Sequence, residues 1–598
     1  MQSLFEERRF IKSLMPWNEG TIPISRQVSS HSRYKTLNMT LQIPRAPGTA
    51  SWSPVFDRHA YSSTASITTG LDLNPRSSYS LPSLPLFLEA RSHAIAEPLK
   101  PAIIDKTKNE SFTYLDLLSD VAVFKTKIQH VLENYGKSKA NASQEEPRIS
   151  FLVPAGYDYV VAQWAIWAVG AICVPLCMFN FFLVIANTNG DIAGTTHPLN
   201  ELLYTISDSD PSLIIIHPSF QGLEAGLRSK AQDVPLLRFD PSSKSTNLDK
   251  SPTLPQFANS PPLSQRALII YTSGTTSRPK GCVTTHETLA FQARSLVQAW
   301  KYQRSDHLIH MLPLHHVHGV INGLTATLLA GGTVEMYSKF DPKIVWDRWS
   351  EVGSSTMFMA VPTVYSRLID YFDTNIRGSQ SESAARQGAQ ALRLTVSGSA
   401  ALPVSTKQRF REITGHELLE RYGMTEVGMA LSCGLDTTQR TSGSVGWPLP
   451  GVRVRLVEPE TKQMITSSGK DESGLIEIQG PNLFAEYFRQ PEVTAESFTE
   501  DGWFKTGDVA KRDAQGAYFI LGRESVDLIK SGGYKISALE VERKILGNAQ
   551  LGAIVSEVVV VGVEDADWGQ RVAAVVKMKL PVSPNGSTIS ILPIHNKI

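Results

Sequence analysis

The sequence predicts an α/β protein: a large N-terminal domain of two parallel-type, helix-layered sheets plus a β-rich subdomain, then a small, truncated α+β C-terminal domain. From about Leu81 to Gly522 short β-branched runs alternate with helical patterns, which signals strands joined by crossover helices. After Gly451 the texture changes to closely spaced strands with turn residues between them. The length of 598 residues exceeds one ordinary core, so two or three compact units are expected.

Residues 1–80 read as a leader. Between Thr21 and Gly70 the only acidic residue is Asp57, set against Arg26, Arg33, Lys35, Arg45 and Arg58 in a Ser/Thr-rich background. That is the composition of a mitochondrial transit segment, which points to the matrix. A disordered tail with no address, and hence a cytoplasmic protein, is the alternative, and Met39 is an alternative start.

The large domain is expected over 81–522, with "RISFLV", "SLIIIH", "RALIIY" and "LRLTV" among its strands and "VRVRLV", "GLIEIQG" and "AYFILG" in the β-rich part. No charge occurs from Tyr159 to Gly190, long enough to span a bilayer. Gly170 and Pro175 punctuate that run, however, and "DYVVAQWAIWAVGAICVPL" divides into a buried helix and a short strand, so no membrane segment is expected. Residues 178–194, "MFNFFLVIANTNGDIAG", are an atypical insert, and Asp240 to Pro262 is a Pro/Ser/Asn-rich surface connection. A partial small domain is expected over 523–580 and an atypical tail over 581–598.

Lys+Arg 58 against Asp+Glu 57 gives a formal charge of +1, so no global field selects nucleic acid or an anionic membrane. The four cysteines show no CxxC and no Cys/His ligand spacing, which argues against a disulfide framework or a structural zinc.

The strongest chemical signal is Tyr271 to Gly281, "YTSGTTSRPKG". The strand "ALIIY" runs into Thr272, Ser273, Gly274, Thr275, Thr276 and Ser277, whose backbone N–H groups and hydroxyls can wrap an oxyanion, with Lys280 as a point charge for phosphate. It is not the Walker type, because Lys280 follows Pro279 and precedes Gly281. A bare Ser/Thr turn would not explain five small hydroxyls and a lysine placed directly after a buried strand.

This loop resembles the phosphate signature of the adenylate-forming superfamily, which includes acyl-CoA synthetases, and three further motifs follow in the superfamily's order. "ERYGMTE" (Glu420 to Glu426) is similar to its adenine and magnesium motif, "WFKTGD" (Trp503 to Asp508) to its ribose motif, and "GRESVDLIKSGGYKISALEVE" (Gly522 to Glu542) to its hinge. The resemblance implies ATP, Mg²⁺ and coenzyme A. Tyr422, Gly423 and Met424 would line the nucleotide, Tyr422 offering a flat face to adenine. Thr425 would meet the α-phosphate, and Glu426 with Thr275 would hold Mg²⁺. Asp508 can accept from the ribose hydroxyls and Arg523 can donate to the same sugar, although an Asp after Gly is commonly a turn residue. Ser525 falls near the hinge, while Gly532, Gly533 and Tyr534 match the loop that faces coenzyme A.

"LPLHHVHGVINGL" (Leu312 to Leu324) gathers His315, His316 and His318 between apolar runs and suggests a pocket wall. The resemblance assigns it to the acyl site, with His318 near the carboxylate or the adenylate. In "AVPTVYSRL" Arg367 is expected on a helix facing that pocket, and "TVSGSAALP" supplies Ser397, Gly398 and Ser399 at a strand end. An aliphatic pocket does not need a guanidinium, whereas a second carboxylate does. A surface helix arginine is the alternative for Arg367. The combination is similar to malonyl-CoA synthetases, which implies malonate or methylmalonate as the substrate; no protein partner is expected.

The implied chemistry has two steps: attack of the acid on the α-phosphate of ATP, then attack of the coenzyme A thiol on the acyl-adenylate. Lys280, Thr425, Glu426 and His318 are the expected catalytic residues. The family pattern also has a lysine near its C-terminus for the first step, and this chain instead runs "KLPVSPNGSTISILPIHNKI". Losing such a group costs on the order of 10²–10³ in rate. Two further readings therefore stay open: a catalytically impaired nucleotide-binding pseudoenzyme or faulty gene model, and a ligase for medium-chain or aromatic acids.

Overall fold

The computed structural model describes residues 76–136, 145–176, 198–240, 254–272, 279–466, 473–532, 534–548, 550–565, 568–578 and 589–593, all within one compact unit. Residues 1–75, the 178–194 insert, and the tail apart from Ile589–Pro593 lie outside them.

Two large sheets carry the site. The first has seven strands, and its parallel centre is formed by Arg148–Leu152, Ile172–Pro175, Leu213–Ile216 and Arg266–Thr272. The second has nine, with Leu308 aligned to Val334 and Met357, and Val396 to Leu419, in parallel register. Both depart from an all-parallel plan at their edges. Lys280–Thr285 and Glu486–Tyr487 add antiparallel to the first, and Gly428–Ser432 and Trp447–Pro448 to the second. A parallel neighbour needs a long crossover, while Lys280–Thr285 follows Arg266–Thr272, and Gly428–Ser432 follows Leu419–Met424, by a short return that permits antiparallel pairing.

The uncharged run does divide into the helix Tyr157–Ala168, buried at all of its 12 residues, and the strand Ile172–Pro175. Among the described residues no helix is long and apolar enough to cross a membrane. Arg76–Pro82, within the stretch read as leader, pairs in parallel with Pro255–Ala258 from the surface connection. The four-stranded antiparallel sheet after Gly451 is the β-rich part, and its strands Phe504–Arg512 and Tyr518–Arg523 set Asp508 opposite Arg523. Beyond it, Val555–Asp565, Gly569–Met578 and Ile589–Pro593 form a second antiparallel sheet under the helix Ala538–Gly547, so part of the expected tail is a strand.

Candidate active site

The phosphate-type loop sits on a β-hairpin. Arg266–Thr272 and Lys280–Thr285 run antiparallel, with Lys280 directly opposite Thr272, so the chain returns along the sheet instead of entering a helix. Ser273, Gly274, Thr275 and Thr276 lie outside the described residues; the two posts of the loop are placed. Tyr271 Oη donates to Asp208 Oδ2 at 2.6 Å and Tyr204 Oη to the Pro279 carbonyl at 2.7 Å, tying both posts to the helix Pro198–Ser209.

A polar chain extends from Lys280. Its Nζ stands 5.0 Å from the centre of the Tyr487 ring, and Tyr487 Oη donates to Glu426 Oε1 at 2.9 Å. Glu426 is buried, which raises its carboxyl above the usual range although Tyr487 and the Arg523 charge oppose the rise. No cation lies within ion-pair distance of it among the described residues. A buried carboxylate in that state is stabilised by a divalent cation. No cluster of three or more His, Cys, Asp or Glu could hold a metal among the described residues. Mg²⁺ would therefore have to share phosphate and water oxygens with Glu426, as it prefers. Thr425 is half-buried in the turn that follows Met424.

Tyr422 Oη donates to Asp508 Oδ2 at 2.5 Å, and Arg523 Nε lies 3.1 Å from Asp508 Oδ1 without the alignment of a hydrogen bond. Burial raises the Asp508 carboxyl, opposed by Arg523 and Tyr422. One buried acceptor is left over, as a ribose hydroxyl requires. Gly423 has no room for a side chain, since a Cβ there would stand 2.0 Å from the Gly428 carbonyl.

The histidine segment begins a π-helical turn, His318–Thr325, a form that recurs at functional sites. His318 is 4% exposed, with Nδ1 3.4 Å from Ser399 Oγ and Nε2 without a hydrogen-bond partner among the described residues. Burial, assisted by Arg421 and the neighbouring histidines, holds its ring far below the usual histidine value and therefore neutral. Burial likewise lowers His310 to about 4, His315 to about 3 and His316 to about 4.

A residue that the sequence reading passed over completes the cluster. Arg421 is 4% exposed, donates from Nη2 to Ser399 Oγ at 3.1 Å, and leaves Nε without a hydrogen-bond partner among the described residues. It makes no ion pair among the described residues, and burial pulls its guanidinium down to about 9. Parallel pairing of Ser397 with Glu420 brings the "SGS" turn beside it. A Cβ on Gly398 would stand 2.3 Å from Arg421 Nε, so the glycine is what admits the guanidinium. Ser399 is held at φ +68°, a left-handed conformation costly for a non-glycine residue. Ser397 Oγ is a further buried, unpartnered group. The signal available in the sequence was the run of small residues at 397–400.

Arg367 is not brought to this cluster. Pro362, Tyr365, Leu368 and Ile369 take the buried face of the helix Pro362–Tyr371, leaving Arg367 exposed with its guanidinium carbon 5.9 Å from the Phe340 ring centre.

A cavity is lined by Ser397, Ser399, Arg421, Tyr422 and Gly443, together with Leu539 and Arg543 of the small domain. Gly533 lies outside the described residues, and Tyr534 beside it is exposed.

A hairpin ending in Lys280, a buried acid with spare acceptor capacity and a buried cation with no ion pair among the described residues suit a nucleotide-dependent enzyme acting on an acid. A family profile described as AMP-binding enzyme matches residues 91–488, and the chain belongs to that family. It is 41% identical over 504 residues to a mitochondrial malonate–CoA ligase of Xenopus laevis, covering 80% of this chain and 81% of that one. The human mitochondrial malonate–CoA ligase is 40% identical over 454 residues, covering 73% and 74%. ATP-bound MatB from Rhodopseudomonas palustris superposes with a TM-score of 0.66 at 31% identity, over 82% of this chain and 88% of that one. A malonyl-CoA ligase with methylmalonyl-CoA and AMP bound gives 0.57 at 32% identity, over 81% and 90%.

Proposed function

We propose that this chain is an ATP-dependent acid–thiol ligase that converts malonate, or methylmalonate, to its coenzyme A thioester through an acyl-adenylate. The observation that carries the substrate class is Arg421. A buried guanidinium without a carboxylate partner is costly in an apolar acyl pocket and complementary to a second carboxylate. The relatives are named for the same acid, which supports the reading.

Arg421 and Ser399 hold the distal carboxylate, and neutral His318 hydrogen-bonds the reacting end without adding charge. Asp508 and Arg523 fix the ribose, and Lys280 and Thr425 face the phosphates, so the α-phosphate is positioned for in-line attack. Mg²⁺, held by Glu426 with Thr275, supplies neutralisation of phosphate charge when bound. Gly532, Gly533 and Tyr534 face coenzyme A in the second step. The large domain occupies 81–522 and the small domain follows from 523. The leader composition and the mitochondrial relatives together support the matrix as the site of action.

The test is thioester formation from ATP, Mg²⁺ and coenzyme A with malonate, methylmalonate, acetate and octanoate side by side. Preferential turnover of malonate or methylmalonate is expected. Preference for octanoate would overturn the dicarboxylate reading, and ATP binding without turnover of any acid would overturn the ligase.

A further inference from the structure

The π-helical turn His318–Thr325 carries a polar side chain with no assigned work. Asn322 is 1% exposed, and neither its Nδ2 nor its Oδ1 has a hydrogen-bond partner among the described residues. Its backbone carbonyl accepts from Tyr302 Oη at 2.9 Å, so the main chain is held in place while the amide stays unused. Val320, Ile321 and Leu324, buried as fully in the same segment, are apolar. Packing alone therefore asks for no amide there, and a buried polar group without partners lowers stability.

Placement points to the acid. Asn322 follows His318 by four residues, which on a helix sets the two on one face. The next residue, Gly323, lies against the strand His307–His310: a Cβ added there would stand 2.6 Å from the His310 ring. His310 in turn is close enough to His318 to disfavour its protonation. His318 Nδ1 is 3.4 Å from Ser399 Oγ, which accepts from Arg421. His310 Nε2 and Arg421 Nε also have no hydrogen-bond partner among the described residues. A carboxylate offers about four lone-pair sites, more than Arg421 and Ser399 fill between them, and an amide presents an N–H donor whichever way round it is turned.

We propose that Asn322 is a specificity-determining residue for the acid, donating from its side-chain amide to the carboxylate that Arg421 neutralises. This rests on the proposed dicarboxylate substrate. Arg421 supplies charge, and Asn322 supplies a fixed direction without a second buried ion. An acid with one carboxylate leaves the amide unpaired, and a site built around such groups rejects ligands that cannot satisfy them.

The experiment uses the full chain with malonate and propionate, which share a reacting carboxylate and differ in the second, at saturating Mg²⁺ and coenzyme A. Asn322→Leu is close in size and apolar. It should raise KM for malonate about tenfold with kcat nearly unchanged, since a hydrogen bond to a charged group is worth about that factor. Propionate kinetics and KM for ATP should change much less. The thermal midpoint should equal or exceed that of the wild type, because two unpartnered polar atoms are removed; a merely structural amide would lower the midpoint and spare the malonate KM. If the wild type prefers malonate and Asn322→Leu keeps the same ratio of kcat/KM for malonate over propionate, the role of Asn322 is overturned and the dicarboxylate substrate stands. If the wild type prefers propionate, or turns over neither acid, the two fall together. Should Asn322→Leu fail to fold, Asn322→Ala decides by the same ratio, and an unchanged ratio overturns the proposal.

Discussion

Tyr422 and Asp508 meet at 2.5 Å with both side chains almost fully buried, 3% and 2% exposed, and the remaining oxygen of Asp508 has no aligned donor among the described residues. The phenol therefore orients an acid whose other oxygen is left for the ribose on the proposed reading. Tyr422→Phe leaves a buried acceptor short of its donor, and should cost about 1–3 kcal/mol of stability. It should also weaken AMP binding about tenfold through misorientation of Asp508. Urea denaturation with and without AMP separates the two effects, because ligand stabilisation scales with affinity.

Arg421 carries charge in a place that disfavours it. Arg421→Met, close in length and apolar, should leave the free protein as stable as before or more so. The same change should lower kcat/KM for malonate by at least about a hundredfold while barely touching acetate, since truncating a buried charge contact costs about 2–5 kcal/mol. Arg367→Ala is the comparison, and its loss should be the smaller. Steady-state kinetics with the two acids check this.

Acid should unfold the protein through its histidines. Burial depresses His310 to about 4, below its unfolded value of about 6.5. A histidine held neutral contributes stability that is full above the unfolded value and is lost as the pH falls toward the folded one, because the unfolded chain then binds the extra proton. The urea midpoint should fall between about pH 6.5 and about pH 4, and less steeply in His310→Gln.

On the proposed reading Lys280 serves the first half-reaction. Lys280→Met should reduce malonate-dependent ATP–pyrophosphate exchange about a hundredfold, the usual loss on removing a stabiliser of developing charge. Thioester formation from supplied malonyl-adenylate should change only a few-fold, and comparing the two assays gives the result.

Strands such as "SLIIIH" and "RALIIY" were legible because a covered parallel sheet selects continuous β-branched runs. Edge direction was not, since it depends on where the chain returns and not on what the strand contains. Asp508 and Arg523 were legible only through motif resemblance, and the structure adds the reason they work together: adjacent antiparallel strands in register. Arg421 was hidden because its burial depends on a glycine some 23 positions away, at Gly398, in a neighbouring strand's turn. Arg367 illustrates the converse. A helix position reads the same on either face until the packed residues, here Tyr365 and Leu368, choose one.

The hairpin under the phosphate loop has an engineering consequence. Its feet are pinned by the Thr272–Lys280 pairing and by two hydrogen bonds to a separate helix, from Tyr271 to Asp208 and from Tyr204 to the Pro279 carbonyl. The span between the feet is thus set by the scaffold, independently of what bridges it. An exchange of the bridge for one of matching length should therefore leave the two feet where they are, which a thermal-stability comparison of the exchanged variants would check.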